Sequence, residues 1–186
     1  MYRLIGVLVM ALPALFAADP AYQSADLKLD RLEKQAFKPG EVVEFTPQEV
    51  DAWVRVAVPE AEPEGVRNPR LEIGMDSATG SALVDFLKIK EAKGSSTNRL
   101  LASMIEGEHP LKVSVRLACG AGKCTVFLAR VELAGAVAEG ALLDFLIKSF
   151  FTPMYPNAKI NQPFEVGYNI DRIDFRPEGI RVTIKK

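Results

Sequence analysis

The chain is poor in the residues that carry reaction chemistry. Of its 186 residues, one is histidine and two are cysteine. Four-coordinate zinc would need two ligands beyond Cys119 and Cys124, and the lone histidine, His109, stands beside Pro110 in what reads as a loop. There is no G-x-S-x-G, no phosphate loop and no dinucleotide fingerprint. Asp171 and Asp174 lie three apart in NIDRIDF, but on a strand that spacing sends them to opposite faces. An active site needs convergent titratable groups, so no catalytic residue, metal or cofactor is assigned, and the expectation is a protein that is not an enzyme. Excess charge is also lacking: 23 Lys and Arg against 24 Asp and Glu leave a net charge of −1. That excludes the basic footprint of a nucleic-acid binder and a polybasic tail for anionic lipid.

No apolar run is long enough to span a bilayer. The longest, Leu4 to Phe16, is too short. Behind Arg3, and followed by Leu15-Phe16-Ala17 and Ala18-Asp19-Pro20, it reads as a secretory signal peptide cut after Ala17 or Ala18; an uncleaved N-terminal anchor is the alternative. With no cysteine at the cut, a bacterial-type lipid anchor is excluded. The chain divides into a signal peptide at 1–17, an N-terminal helical segment at 18–40 and a single α+β domain at 41–186. The expected location is periplasmic or secreted.

In an exported chain an isolated cysteine pair is most simply a disulfide. Cys119 and Cys124 flank Gly120-Ala121-Gly122-Lys123 between two strand-like runs, so a bridge would staple a hairpin tip. So short a loop gains only about 2–3 kcal/mol in the chain-entropy account.

What the sequence does have is apolar mass: 48% hydrophobic residues, ten of them phenylalanine. It concentrates in Val137 to Phe151, VAEGALLDFLIKSFF, which predicts one long helix. Leu142, Leu143, Phe145, Leu146, Ile147, Phe150 and Phe151 cover most of its circumference, broken only by Glu139, Asp144 and Lys148. A helix apolar nearly all round must be covered on more than one side. The remaining chain, mostly strand-like, can supply that cover.

Upstream, Ser24 to Phe37 predicts a helix capped by Ser24, although Leu27-Lys28-Leu29 also suits a strand start. Glu41 to Phe45 is a short strand. Thr46-Pro47-Gln48-Glu49 is the clearest local signal, a capping box with proline at the first helical position. The helix it opens runs to about Val58 and buries Val50 and Trp53. Pro59 to Pro69 reads as a turn-rich acidic link, and Arg70 to Met75 as a half-buried strand. Asp76 to Gly80 turns into a long strand over Ser81 to Lys90 that carries Val84 and Phe86. Gly94 to Asn98 reads as a loop and Arg99 to Glu106 as a short helix.

Leu111, Val113, Val115 and Leu117 alternate with Lys112, Ser114 and Arg116, a clean strand whose partner runs from Thr125 to Leu133. With Cys119 opposite Cys124, Leu117 faces Val126 and Val115 faces Leu128. The same register would then set Arg130 against Val113, which predicts a β-bulge near Leu128 to Val131 or a change of buried face. Phe164, Val166, Tyr168 and Ile170 alternate with polar residues and glycine, Ile173 and Phe175 lead to a Pro177-Glu178-Gly179 turn, and Ile180, Val182 and Ile184 return, the pattern of a terminal hairpin. Strands that follow one another as hairpins make an antiparallel sheet and an α+β class.

In their order along the chain, the segments FTPQEVDAWV, EGVRNPRLEIGMDSATGSALVDF, HPLKVSVRLACGAGKCTVFLARVELAGAVAEGALLDFLIKSF and QPFEVGYNIDRIDFRPEGIRVTI resemble the LmeA-like periplasmic phospholipid-binding proteins, which are similar to the tubular lipid-binding (TULIP) superfamily. The resemblance covers Val42 to Ile184. It implies a curved antiparallel sheet wrapped around a long apolar helix, with acyl chains in a channel between them. By position, Leu142 to Phe151 match the family's helix and Val113, Val115 and Leu117 a wall strand. The Cys119–Cys124 pair departs from the family pattern. The expected lipid-contacting set is Val50, Trp53, Val84, Phe86, Val113, Val115, Leu117, Leu142, Phe145, Leu146, Phe150 and Phe151. Each of these residues also suits a filled core. Two functions therefore stand open: a soluble lipid carrier with a phospholipid or other acyl ligand and transient membrane contact, and a non-catalytic envelope assembly module with a protein partner and a packed interior.

Overall fold

The structure is a computed structural model that describes residues 19–61, 65–92, 106–148, 152 and 160–186. The predicted signal peptide, the Gly94–Asn98 loop, nearly all of the Arg99–Glu106 helix, and Phe150 and Phe151 lie outside the described residues.

The class is α+β, as expected. Helix α1 (Pro20–Glu33) leads into strand β1 (Val42–Phe45) and helix α2 (Pro47–Ala61). A hairpin of β2 (Val66–Gly74) and β3 (Ser77–Asp85) runs directly into α3 (Phe86–Ala92). A second hairpin, β4 (Glu108–Gly120) and β5 (Lys123–Leu133), is followed by β6 (Ala136–Val137) and α4 (Gly140–Leu146). Strands β7 (Pro163–Glu165), β8 (Ile170–Arg176) and β9 (Gly179–Ile184) complete the order. Among the described residues all pairings are antiparallel and make two sheets. One has the order β1-β9-β8; the other runs β2-β3-β4-β5-β6, with β7 on the same edge of β5 as β6.

The β4–β5 register follows the disulfide. Cys119 pairs with Cys124, Leu117 with Val126 and Val115 with Leu128. The predicted bulge then intervenes: Ala129 is the extra residue, Ser114 meets Arg130, and Val113 meets Val131 rather than Arg130. One inserted residue returns Val131 and Leu133 to the buried face, where both are almost fully covered.

Each sheet has its own core. The six-stranded sheet packs Val84, Val131, Leu133 and Ala138 against Phe86 and Ile89 of α3 and Leu146 of α4. The three-stranded sheet packs Val43, Phe45, Val182 and Ile184 against Ala25 and Leu32 of α1, with Val50 and Trp53 of α2 beside them. Hairpin tips tie the sheets together. The Asp76 N–H donates to the Phe175 carbonyl (3.0 Å) and the Gly122 N–H to the Asp171 carbonyl (2.7 Å). Asp171 is the residue left over at the register shift between Ile170 and Arg172. These bonds also occupy the outer edge of β8, which would otherwise be open to pairing.

Several boundaries differ from the sequence reading. Helix α1 starts at Pro20, because Asp19 caps it by accepting the Ala21 N–H (2.9 Å). Ser24 lies inside the helix and donates to Glu49 instead. Helix α2 continues past Pro59 to Ala61. Strand β2 begins at Val66, and Pro69 is accommodated at the register shift between Arg67 and Arg70, beside Asn68 at φ 49°. The turn before β3 is only Met75-Asp76, so Ser77 to Gly80 is strand. The strand expected over Ser81 to Lys90 ends at Asp85 and becomes α3 at Phe86. His109 and Pro110 are in β4, not in a loop. The apolar helix begins at Gly140, because Ala136 and Val137 pair with Leu133 and Glu132 as β6.

Candidate functional site: an apolar pocket between the long hairpin and the fourth helix

The long strands β4 and β5 turn alternate residues toward α4. On β4 these are Leu111, Val113 and Val115; on β5 they are Val126, Leu128 and, beyond the bulge, Val131. Together with Phe86 at the start of α3, Leu143 and Leu146 of α4, Ile147 and Ile160, they line a partly open pocket of about 150 Å³. Every described lining residue is apolar. The bulge is what keeps the pocket apolar, because without the extra residue Arg130 would take the place of Val131 opposite Val113.

Local chemistry positions each wall. Asp85 is the hinge between β3 and α3: its carboxylate accepts the Lys88 N–H (3.1 Å) and sits 3.5 Å from Lys88 Nζ, capping the helix start. The backbone N–H of Asp85 donates to the Gly65 carbonyl (2.8 Å). Phe86, 2% exposed, is thereby aimed into the core as the first residue of α3. On the far side, β7 pairs with the disulfide-bonded end of β5, and the Asn161 N–H donates to the Val126 carbonyl (2.9 Å). Those bonds set Ile160 against the pocket.

Of the residues expected to contact lipid, the structure brings Phe86, Val113, Val115 and Leu146 to the pocket wall. Val84, Leu142 and Phe145 lie in the surrounding core. Leu117 lies beyond the pocket on β4, toward the disulfide end. Val50 and Trp53 belong to the other core, with α2 against the three-stranded sheet. Sequence reasoning missed Leu111, Val126, Leu128, Val131, Leu143, Ile147 and Ile160. The alternation of β4 and the predicted bulge carried enough signal for the four on β4 and β5; nothing in the local pattern marks Ile160.

The most buried carboxylate among the described residues lies elsewhere. Glu49, 7% exposed, accepts from Ser24 Oγ (2.5 Å), Lys28 Nζ (2.6 Å) and the Thr46 N–H (2.8 Å). Its own N–H donates to Thr46 Oγ1 (3.2 Å), completing the predicted capping box. Burial pushes its pKa up, but the bonds from Lys28, Ser24 and the Thr46 N–H, together with the Lys28 charge, outweigh that and hold it below the usual value. Among the described residues no three His, Cys, Asp or Glu side chains cluster as a metal site, and no helix is long and apolar enough to cross a membrane. The chain matches no protein-family model, no curated protein and no solved structure.

Proposed function

We propose that this chain is a non-catalytic acyl-lipid carrier of the periplasm or extracellular space, with a helix-and-sheet tube of the TULIP kind. The observation that supports this reading is the pocket between β4, β5 and α4, whose eleven described lining side chains are all apolar. The described wall offers no general acid, base or nucleophile. It favours a ligand recognised by burial alone.

Its size sets what fits. An apolar cavity of this volume takes benzene or xenon in other proteins, so the pocket holds roughly six carbons, the end of one acyl chain. At about 0.8 kcal/mol per CH₂, six carbons supply about 5 kcal/mol, equivalent to a dissociation constant on the order of 0.2 mM before the cost of immobilisation. Tight binding of a two-chain phospholipid therefore requires the walls to part. The same small volume favours a second reading, an envelope assembly or adaptor module with a filled core.

The test is extraction and mass spectrometry of lipid from the exported protein, purified without detergent. It is compared with Val113→Phe, which fills the pocket, and Arg116→Ala, which changes the outer face beside Phe127. Lipid in the wild type and in Arg116→Ala, but not in Val113→Phe, supports the carrier. Lipid-free protein that also takes up no apolar probe sinks it and leaves the adaptor reading.

A further inference from the structure

We propose that the Cys119–Cys124 disulfide is a redox-sensitive clasp on the pocket wall, acting through β7. A disulfide between directly paired residues beside a tight turn is, by itself, a staple for its own hairpin. Here the stapled end carries a third strand. Lys123, Cys124 and Thr125 of β5 pair with Glu165, Phe164 and Pro163 of β7. The Gly122 carbonyl in the turn accepts the Val166 N–H (3.0 Å). One residue further along β5, the Val126 carbonyl accepts the Asn161 N–H (2.9 Å). These bonds run continuously from the disulfide to Asn161, and its neighbour Ile160 lines the pocket together with Val126 and Leu128. With three residues, β7 is too short to hold itself; it depends on the order of the strand end it joins. The bridged turn supplies that order, with Ala121 and Gly122 both at positive φ and the Gly122 N–H fixed to Asp171 across the sheets.

Reduction would remove the constraint. A dithiol reductant attacks one sulfur, the S–S bond breaks, and a second attack within the mixed disulfide releases the protein. The two electrons come from the dithiol, which becomes a cyclic disulfide, and its two protons leave Cys119 and Cys124 as thiols. The turn then frays, β7 loosens and Ile160 moves off the wall, so ligand exchange speeds up in the reduced state. This regulatory role rests on the carrier reading, because it needs a pocket that exchanges a ligand.

The experiment follows the full exported chain by NMR, oxidised and after reversible reduction with dithiothreitol, with Cys119→Ser/Cys124→Ser as a second route to the open form. Amide hydrogen exchange at Asn161 and Val166 reads the clasp. Benzene, followed through the methyl resonances of Val126 and Leu128, reads the pocket. We expect both amides to exchange on the order of tenfold faster on reduction, benzene exchange to quicken, and the β2–β3 amides and Trp53 emission to stay unchanged. Unchanged exchange at Asn161 and Val166 overturns the clasp, as does faster amide exchange with an unaltered benzene rate. Failure of benzene to perturb any pocket methyl in either form overturns the carrier reading instead, and the amide rates alone then decide whether the bridge holds β7.

Discussion

Lys28 of α1 meets Glu49 of α2 at 2.6 Å, and the same ammonium donates to the Glu44 carbonyl of β1 at 2.8 Å. One buried carboxylate thus fastens the first helix to the second and, by accepting the Thr46 N–H, closes the capping box that Thr46 Oγ1 opens. Glu49→Ala removes the return half of the capping box, takes from Ser24 its carboxylate acceptor and leaves Lys28 only the Glu44 carbonyl, and should cost about 2–4 kcal/mol. Glu49→Gln keeps an acceptor for the Thr46 N–H but loses the charge, and should cost about 1–2 kcal/mol. Urea titrations followed by Trp53, the chain's one tryptophan and a member of this core, check both.

The same carboxylate gives a signed pH dependence. Its folded-state pKa lies below the usual 4.5, so the unfolded chain binds this proton more tightly. The stabilisation is complete above about pH 4.5 and is lost as pH falls through the lowered folded value. Wild type and Glu49→Gln should therefore converge in stability toward acid. A constant difference between them from pH 7 to pH 3 would show that the carboxylate's charge contributes nothing.

Gly179 explains why the terminal hairpin sits where it does. Its φ is +139°, and a Cβ there would lie under 3.0 Å from the Phe45 carbonyl oxygen, a backbone atom that cannot swing aside. Gly179→Ala should cost about 2–4 kcal/mol and loosen β1 from β9. Circular-dichroism melts would register it, and a loss below about 0.5 kcal/mol, the scatter of neutral surface changes, would refute the close approach.

The parts of this fold that were legible in the sequence are those decided by local chemistry or by one strong constraint. Thr46 and Glu49 announce a capping box wherever the chain folds. Cys119 and Cys124 fix a register, and Arg130 then betrays the bulge because a charge cannot occupy the place of Val131. The switch from strand to helix at Asp85 was not legible, since Leu83 to Ile89 carries apolar residues that suit either period and the cap at Asp85 opposes no other signal. The start of α4 was hidden for a different reason. Val137 has the hydrophobicity of a helix residue, but pairing with Glu132 claims it for β6. Within the pocket, alternation marked Val113 and Val115, whereas Ile160 enters through the β7 pairing, which no local pattern encodes.

Asp85 carries its own test. Its carboxylate caps α3 through the Lys88 N–H, so Asp85→Ala should cost about 1–2 kcal/mol and Asp85→Asn distinctly less, since asparagine caps well. The salt bridge to Lys88 is exposed on the lysine side and adds little. Lys88→Ala should therefore leave the unfolding midpoint nearly unchanged. A loss on Lys88→Ala equal to that on Asp85→Ala would reassign the stabilisation from the cap to the ion pair.

The pocket itself makes opposite predictions for two substitutions on facing walls. Leu146 is buried and belongs to both the pocket wall and the core. Leu146→Ala should destabilise by about 2–4 kcal/mol, because it removes buried methyl groups and enlarges an existing void that can only partly collapse. The same enlargement should tighten binding of benzene or a short acyl probe. Val113→Phe adds volume. In a filled core it would cost about 1–3 kcal/mol by overpacking, but the pocket beside it offers room for the ring, so the loss should stay below about 1 kcal/mol while probe uptake disappears. Thermal melts with and without probe separate the cases, since a ligand that binds only the folded state raises the melting temperature with its concentration. If Val113→Phe unfolds the protein and Leu146→Ala gains no probe binding, the space between β4, β5 and α4 is packed core, and the adaptor reading takes precedence.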